Sequence, residues 1–464
     1  MELLIEKLVY GGEGLARLAS DEQGRRKAAF VPFVIEGERV EGRPREEQKS
    51  FTRIELERVL QPSPQRIEPG CPYFQRCGGC HYQHIDYKHQ LEVKADILKE
   101  NLRRLAKVEL PVELQIHAAE PWNYRNRARL QVQSEPEFAI GYFKFNSHEW
   151  LPVEKCPISS PLINRAIGAM WEIGRAGGAS GIREIEFFAD AQDAQLLVEV
   201  YGEGVTDKFG QEWKSLLPES VGIVVFPAGA KARLDVPLSS TAGAMGVQKA
   251  AGASKPRRPG RNQRDRDSRA ETGAHSRPSP LLGDGGLVYK TRLASYRVSA
   301  GAFFQVNRYL TDELVSVVTA GRSGKTALDL YAGGGLFSSV LSREFERVLA
   351  VESSPISYSD LQYNSSRNVK AVRAMSAEYL HKAAGKLKPD LVVMDPPRGG
   401  LGESVVHRLV TLGAPRLTYV SCDPATLSRD LAGLLKAGYR IEQAHLVDLF
   451  PQTYHLESVF HLIR

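Results

Sequence analysis

The sequence lacks the features that mark membrane and secreted proteins. It has no run of about 18 apolar residues, so we expect no membrane-spanning helix. Its first residues, Met1-Glu-Leu-Leu-Ile-Glu-Lys, have neither the basic start nor the long apolar core of a signal peptide. Only five of its 464 residues are cysteine, and in a reducing compartment these do not form structural disulfides. The sequence therefore predicts a cytoplasmic protein.

Excess charge is also confined to one part of the chain. The formal net charge is +6, but residues 255–277 hold eight Lys or Arg and three Asp or Glu. This segment alone contributes +5, so the rest of the chain is about +1. The surrounding residues 245–285 are rich in Gly, Pro, Ser, Arg and Ala, which predicts a disordered insertion or linker. Overall charge is therefore a weak argument for a nucleic-acid partner.

The remaining chain falls into three regions of different pattern. Residues 1–61 contain short strand candidates between glycine turns, which indicates a small all-β barrel of a kind that binds RNA. Residues 62–244 mix an amphipathic helix with further strands. Residues 286–464 alternate strands and helices from Lys325 onward, which is typical of a doubly wound α/β domain.

A basic and aromatic stretch lies in the central region. Arg125, Arg127 and Arg129 alternate, so they would share one face of a strand, with several aromatic residues nearby. This combination suits RNA phosphates and stacked bases. The alternative is a solvated basic face over an ordinary core.

Four of the five cysteines have a metal-ligand pattern. Three follow the spacing Cys-x5-Cys-x2-Cys with two glycines inside the close pair, and one more precedes Cys422. Four thiolates suit either a cubane iron–sulfur cluster or a structural zinc ion, and the spacing leaves that choice open. His81 and His84 are weaker candidates for ligands. The four thiols are those of Cys71, Cys77, Cys80 and Cys156.

The α/β region has polar residues where its strand candidates end. Glu352, Asp395 and Cys422 each end one strand candidate, and doubly wound sheets bind ligands at this edge. Gly333 and Gly335 follow an earlier strand and permit a tight turn against a ligand. An acid such as Glu352 can accept hydrogen bonds from both ribose hydroxyls, which predicts a nucleotide cofactor.

Cys422 and the C-terminal segment supply groups for carbon methylation. Asp395-Pro-Pro-Arg398 resembles the motif that holds a planar base, but Arg398 replaces the aromatic residue usual in enzymes that methylate nitrogen. A thiolate that adds to uracil C6 makes C5 nucleophilic towards a methyl sulfonium, and a base must then remove the C5 proton. Cys422, whose thiolate a following helix N-terminus would favour, is the candidate nucleophile. Glu457 and His455 are both candidates for the base.

Together, these motifs resemble the bacterial RNA (uracil-5-)methyltransferase family, and within it the 23S ribosomal RNA branch with a TRAM domain and a 4Fe-4S iron–sulfur cluster. The resemblance covers nearly the whole chain. Besides the cysteine spacing, it rests on Tyr10-Gly-Gly-Glu-Gly-Leu-Ala, Gly37-Glu-Arg-Val, Phe303-Phe-Gln-Val-Asn307, Asp329-Leu-Tyr-Ala-Gly, Asp395-Pro-Pro-Arg-Gly, Ser421-Cys-Asp-Pro-Ala-Thr and Phe450-Pro-x-Thr-x-His-Leu-Glu457.

The resemblance implies a class I Rossmann-like methyltransferase domain at 286–464, an N-terminal OB-like TRAM barrel at 1–61 and a central α+β iron–sulfur domain at 62–244. It implies Cys422 as the nucleophile and Glu457 as the base, and it favours iron–sulfur over zinc. The residues that it implies for the S-adenosylmethionine site are Gln305, Tyr331, Gly333, Gly335, Glu352 and Asp395.

The implied activity is methylation of uracil C5 in 23S ribosomal RNA by a monomer without an obligate protein partner. One alternative is the same reaction on transfer RNA, although the transfer-RNA enzymes usually lack the cysteine cluster and the TRAM domain. The other is a non-catalytic RNA-binding protein. Ala332, Leu336 and Ser376 depart from the family pattern around the cofactor, and the last two favour this reading, whereas Cys422 and Glu457 argue against it.

Overall fold

The computed structural model describes residues 1–20, 26–227 and 278–464. The helices of the described chain are α1 (Tyr87–Asn101), which continues into a π-helical turn at Leu102–Ala106, α2 (Pro161–Arg175), α3 (Asp207–Leu216), α4 (Thr311–Thr319), α5 (Ser338–Leu341), α6 (Pro355–Asn364), α7 (Ser376–Ala383), α8 (Gly402–Leu412) and α9 (Pro424–Lys436). The strands are β1 (Glu2–Leu4), β2 (Lys7–Val9), β3 (Glu13–Ser20), β4 (Arg26–Pro32), β5 (Arg39–Glu47), β6 (Phe51–Gln61), β7 (Leu114–His117), β8 (Arg127–Gln133), β9 (Ala139–Phe143), β10 (Trp150–Pro152), β11 (Ile182–Ala189), β12 (Leu196–Gly202), β13 (Ser220–Phe226), β14 (Ser279–Leu282), β15 (Gly286–Lys290), β16 (Ser295–Ser299), β17 (Gly324–Leu330), β18 (Phe345–Glu352), β19 (Val369–Arg373), β20 (Leu391–Met394), β21 (Arg416–Ser421), β22 (Arg440–Val447) and β23 (Glu457–Ile463).

The N-terminal region forms a six-stranded sheet in the order β1-β5-β6-β4-β3-β2. Its neighbours are antiparallel except for β4 and β6. The all-β character predicted for residues 1–61 is therefore confirmed. Alternating apolar side chains give this sheet a small core of its own, made of Leu3, Ile5, Ala16, Ala29, Val31, Val34, Val40 and Ile54.

The central region forms a seven-stranded sheet in the order β10-β9-β8-β11-β12-β13-β14. Helix α2 begins at the N-cap Ser160, whose side chain accepts a hydrogen bond from the Ile163 N–H, and Pro161 occupies its first position. One apolar face of this helix, with Ile163, Ile167 and Met170, packs into the same core as the strands. The further strands predicted for residues 62–244 are present, β11, β12 and β13 among them.

The C-terminal region is built on an eight-stranded sheet in the order β19-β18-β17-β20-β21-β23-β22-β7. β17 to β21 pair with one another in parallel, whereas β23 runs antiparallel to both β21 and β22. β20 and most of β17 and β21 are buried, and their apolar side chains pack into two cores with the helices. The predicted doubly wound α/β architecture is confirmed.

Two strands lie outside their predicted regions. β7 comes from the central region but pairs with β22 and so forms one edge of the C-terminal sheet. β14 lies inside the predicted disordered segment 245–285 but pairs with β13, so that prediction is wrong for Ser279–Leu282. Each is a four-residue edge strand with little sequence pattern of its own. Its extended conformation depends on pairing with the neighbouring strand. Residues 245–277 of the predicted segment lie outside the described residues.

None of the helices in the described ranges is long and apolar enough to cross a membrane, as the sequence predicts.

Candidate active site

The predicted catalytic and cofactor residues meet along one edge of the C-terminal sheet. Glu352 ends β18, Asp395 directly follows β20, and Cys422 directly follows β21. These strands are parallel, so their carboxyl ends lie on the same side of the sheet. Because β23 is antiparallel to β21, its first residue, Glu457, also lies at this edge. The fold therefore assembles the site from four separate strands.

Strand register brings the candidate nucleophile beside the candidate base. Ser421 of β21 lies opposite Ser458 of β23, and the Ser458 hydroxyl donates a hydrogen bond to the Ser421 carbonyl oxygen over 3.2 Å. Cys422 and Glu457 occupy the next positions beyond this pair, so they face each other across the two strands. The Glu457 carboxylate accordingly raises the pKa of the Cys422 thiol.

The protonation of Cys422 differs from the prediction. Helix α9 does begin directly after it, but the Asp423 side chain already accepts hydrogen bonds from two backbone N–H groups of the first turn, over 3.0 and 2.8 Å. Burial is the largest cause that raises the pKa of Cys422, and Glu457 and Asp395 raise it further. These effects outweigh the helix dipole. The prediction of a favoured thiolate is therefore wrong for the protein without ligands.

Three carboxyl groups with raised pKa values lie at this edge of the sheet. Burial is the main cause that raises the pKa of Asp329, Asp395 and Glu457. The carboxyl groups also act on one another, because Asp329 raises the pKa of Asp395, and Asp395 raises that of Glu457. Arg398 is a nearby cation and lowers the pKa of both Glu457 and Cys422. A cationic ligand would be stabilised here.

His455, the other candidate base, is also at the site. Its Nδ1 lies 3.4 Å from a guanidinium nitrogen of Arg398. Burial and the positive charge of Arg398 hold the pKa of His455 well below its usual range. A weakly basic imidazole is a poor proton acceptor, whereas a carboxylate with a raised pKa is a better one. The electrostatics therefore favour Glu457 over His455.

The glycine loop after β17 lies against Glu352. The Gly333 N–H and the Ser354 N–H donate hydrogen bonds to the Glu352 carboxylate over 2.9 and 2.6 Å. Gly333 has φ +54°, and no atom lies within 4 Å of where its Cβ would be, so a ligand can approach the backbone there. Tyr331 precedes this loop, also with positive φ (62°). The loop is thus shaped to receive a ligand beside the acid.

The departures from the family pattern have structural roles. Leu336 is buried in the core that also contains Phe337, and Ala332 packs with Ala350 and Leu361. Both side chains therefore fill the interior beneath the loop. Ser376 is the first residue of α7, buried, and it hydrogen-bonds the Tyr331 hydroxyl.

Gln305, the remaining predicted cofactor residue, is held by the central region. It lies in the segment after β16 and is 7% exposed. The Asn126 N–H donates to the Val306 carbonyl oxygen over 3.0 Å, and the Gly301 N–H donates to a Glu199 carboxylate oxygen over 2.9 Å. The position of Gln305 thus depends on the central sheet.

The same contacts correct the prediction for the alternating arginines. The Arg127 side chain is 3% exposed and forms ion pairs with Glu186 and Glu199, and it donates to the Ala302 carbonyl oxygen over 2.5 Å. Arg129 pairs with Glu184. Arg127 is therefore unable to contact RNA phosphates, because its guanidinium is buried and already paired with two carboxylates and a carbonyl oxygen.

The four predicted metal-ligating cysteines line one cavity. It is bounded by the loop of Cys71, Cys77 and Cys80, by Cys156 and by Arg125. All four thiols are free. Burial, together with the nearby Cys156 and Cys71 thiolates, raises the pKa of Cys77 to about 12. The thiols are thus neighbours in space, as the spacing predicts.

No group of three or more His, Cys, Asp or Glu side chains within the described ranges is arranged so that it could hold a metal ion. This finding supports neither the predicted iron–sulfur cluster nor the zinc alternative. Neither His81 nor His84 lines the cavity, and burial lowers their pKa values to about 4 and about 3. Neither is placed as a ligand.

Two residues at the site are absent from the predicted set. Arg398 is the cation beside Cys422 and Glu457, and its place in the Asp395-Pro-Pro-Arg motif was the available signal. Tyr10 donates its hydroxyl hydrogen to the Cys422 carbonyl oxygen over 3.1 Å. No sequence pattern links Tyr10 to a residue 412 positions away.

A doubly wound sheet with a glycine loop, an acid after the second strand and an Asp-Pro-Pro turn defines the class of nucleotide-cofactor methyltransferases. Known proteins agree. The family model for tRNA (uracil-5-)-methyltransferase matches residues 284–464. An uncharacterized RNA methyltransferase of Aquifex aeolicus is 32% identical, and the alignment covers 99% of this chain and 97% of that protein.

Two further proteins extend this comparison. The 23S rRNA (uracil(1939)-C(5))-methyltransferase RlmD of Chromohalobacter salexigens is 30% identical, over 100% of this chain and 89% of its own length. The crystal structure of Pyrococcus abyssi tRNA (uracil-54, C5)-methyltransferase with S-adenosyl-L-homocysteine shares the fold, with a TM-score of 0.71, 21% identity and full coverage of both chains. The chain belongs to the RNA (uracil-5-)methyltransferase family.

Proposed function

We propose that this protein transfers a methyl group from S-adenosylmethionine to C5 of a uridine in 23S ribosomal RNA. The observation that carries the proposal is that Cys422 and Glu457 both lie directly beyond the Ser421–Ser458 pair of β21 and β23. A nucleophile and a base on adjacent strand positions are the two protein groups that C5 methylation of uracil requires.

The cofactor would bind along the edge from Glu352 to Asp395. The residues fit, because the Gly333 backbone is open to a ligand and the Glu352 carboxylate lies beside it. Gln305 and Tyr331 complete the proposed site, together with Gly335. S-Adenosylmethionine, when bound, supplies a methyl group on a positively charged sulfur. The buried carboxyl groups of Asp329 and Asp395 favour a cation at this position.

The protein residues would then act in sequence on the uracil. The Cys422 thiol gives up its proton to solvent, and the resulting thiolate adds to C6, so that the electrons of the C5–C6 double bond move to C5 and O4. C5 takes the methyl group and still carries its hydrogen. Glu457 removes this proton, the C5–C6 double bond re-forms and the Cys422 sulfur leaves C6. Because burial disfavours the Cys422 thiolate, proton loss must accompany the arrival of the substrate.

The RNA class rests on a full-length relative. RlmD, at 30% identity over all of this chain, is named for 23S rRNA. The Pyrococcus abyssi enzyme is named for transfer RNA, but at 21% identity it supports the fold alone. The four neighbouring cysteines and the N-terminal sheet also match the 23S branch that the sequence resembles.

We further propose that Cys71, Cys77, Cys80 and Cys156 hold a 4Fe-4S cluster and that residues 1–61 are a TRAM barrel that binds RNA. Four free thiols on one cavity are a suitable donor set for the cluster. The cluster would have a structural role, since every step at Cys422 proceeds without electron transfer.

The experiment is a methylation assay with tritiated S-adenosylmethionine and RNA from cells that lack this gene. We expect 5-methyluridine in 23S RNA, and fragment mapping would identify the nucleotide. Cys422→Ala should abolish transfer but keep RNA binding, and Glu457→Gln should accumulate a protein–RNA adduct that survives denaturing gels. Label in transfer RNA alone would overturn the substrate, and normal turnover of Cys422→Ala would overturn the covalent mechanism.

A further inference from the structure

Tyr10 connects the N-terminal sheet to the catalytic strand end. It follows β2 and opens a turn with Gly11 and Gly12. Its hydroxyl donates a hydrogen bond to the main-chain carbonyl oxygen of Cys422 over 3.1 Å. This carbonyl belongs to the residue that we propose as nucleophile, at the joint between β21 and α9. A side chain from the first region of the chain thus reaches the centre of the last.

The Tyr10 ring is fixed by a cluster of aromatic side chains. Its edge meets the ring of Tyr454 at a centroid distance of 5.5 Å. Tyr454 also contacts the His81 ring at 4.6 Å and the His455 ring at 4.2 Å. Contacts on several sides of Tyr454 leave the Tyr10 ring little freedom to turn away, so its hydroxyl is held towards Cys422.

The turn that carries Tyr10 is itself fitted to the cysteine loop. A Cβ on Gly12 would lie 3.0 Å from the Cβ of His81, and Gly12 has φ +85°. Glycine therefore allows the turn to approach the residue after Cys80 closely. His81 is tied in turn to the C-terminal segment, because its N–H donates to the Gln452 carbonyl oxygen over 2.9 Å. Three regions of the chain converge behind the nucleophile.

The surroundings of the hydroxyl suit a hydrogen-bond donor. Burial is the main cause that raises the pKa of Tyr10, and Asp423 and Cys422 raise it further. A tyrosine in this position keeps its proton at neutral pH and remains a donor. The nearby negative groups would repel a phenolate.

We propose that Tyr10 is a positioning residue for methyl transfer, which holds the main chain of Cys422 so that its sulfur meets uracil C6. The proposal rests on the proposed function, in which Cys422 is the nucleophile. It gives the N-terminal sheet a second role beside RNA contact, because the catalytic strand end is complete only when that sheet is docked. Small displacements of a reacting atom reduce rates strongly, so one hydrogen bond at this joint has a measurable effect.

The test compares two tyrosine-to-phenylalanine variants in the full-length protein. Tyr10→Phe removes only the hydroxyl and keeps the ring against Tyr454. Tyr82→Phe is the matched control, because the Tyr82 hydroxyl is also buried but has no hydrogen-bond partner. We expect Tyr10→Phe to lower kcat about 5- to 10-fold with unchanged KM for RNA, in proportion to one lost hydrogen bond. Tyr82→Phe should keep the wild-type kcat.

A second readout isolates the step at Cys422. With 5-fluorouridine RNA, in which the C5 hydrogen is replaced, the adduct should form more slowly in Tyr10→Phe by the same factor, while RNA affinity stays unchanged. The melting temperature should fall by about 2–4 °C, the effect of one lost hydrogen bond. A wild-type kcat in Tyr10→Phe would overturn the proposal, and so would a raised KM for RNA with unchanged kcat. If Cys422→Ala still methylates RNA, the proposed function itself fails, whatever the Tyr10 result.

Discussion

A buried ion pair fastens the segment before Glu457 to helix α1, and its removal has a predictable cost. The Lys94 ammonium lies 2.6 Å from an Asp448 carboxylate oxygen, and both side chains are fully buried. The same ammonium donates to the Phe450 carbonyl oxygen over 2.9 Å, and the Tyr87 hydroxyl donates to Asp448 over 3.0 Å. The segment between β22 and β23 is thereby held in place.

Lys94→Met removes the ammonium but keeps most of the aliphatic volume. The buried Asp448 carboxylate then keeps only the hydrogen bond from the Tyr87 hydroxyl. The Phe450 carbonyl oxygen loses its donor. Breaking one side of a buried ion pair costs about 3–5 kcal/mol. We therefore expect the free energy of unfolding to fall by roughly that amount. Burial lowers the pKa of Lys94, and the Asp448 carboxylate raises it again. The intact pair therefore stabilises the fold by less than its Coulomb energy.

The assay is urea unfolding of the single and double variants, with hydrogen exchange of residues 448–456 as a local readout. Adding Asp448→Asn removes the unpaired charge and keeps a hydrogen-bond acceptor, so the double variant should recover roughly 2 kcal/mol. Lys7→Met is the control, since Lys7 pairs with Glu100 at the surface and should cost less than about 1 kcal/mol. A loss below about 1 kcal/mol in Lys94→Met, or no recovery in the double variant, would refute the reasoning.

Three further predictions concern charge and the cysteines. Because Asp395 and Glu457 have raised pKa values, S-adenosylmethionine should bind more tightly as pH rises from 6 to 8. Binding should release protons, which calorimetry in buffers of different ionisation enthalpy detects. An affinity that does not depend on pH would contradict this prediction. Burial, together with His117 and Arg322, lowers the pKa of His445 from 6.5 to about 4. As pH falls, His445 is therefore protonated first in the unfolded state. Its contribution to the free energy of unfolding is complete above pH 6.5 and should be lost as pH falls towards 4. His445→Gln should make the melting temperature less sensitive to acid in this window, and an unchanged acid sensitivity would argue against a role for His445. Cys156→Ser should reduce bound iron and the broad visible absorption of the purified protein, whereas Cys422→Ser should leave both intact, and equal iron in both variants would argue against the cluster.

The structure also changes how the central region is understood. The sequence suggests that its arginines serve RNA, yet Arg127 joins Glu186 and Glu199 to the backbone at Ala302. The same region supports Gln305 through Val306 and fastens the segment before Glu457 through α1. Its contacts therefore shape the catalytic edge from both sides.

The strands whose carboxyl ends form the site can be predicted from local sequence patterns. Apolar runs that stop at Glu352, Asp395 and Cys422 predict strands whose carboxyl ends share one edge, because parallel topology places them there. The cysteine spacing likewise predicts four neighbouring thiols. These features succeed because periodicity and local spacing encode strands and loops directly.

Contacts between distant residues and the protonation states at the site follow from tertiary packing alone. Cys422 follows a strand and precedes a helix as predicted, yet burial and two carboxyl groups reverse the expected effect on its pKa. Arg127 alternates like an exposed cation but is buried between two acids. Tyr10 reaches Cys422 only because two sheets dock. Burial and contacts between distant residues depend on packing of the whole chain, and no local pattern specifies them.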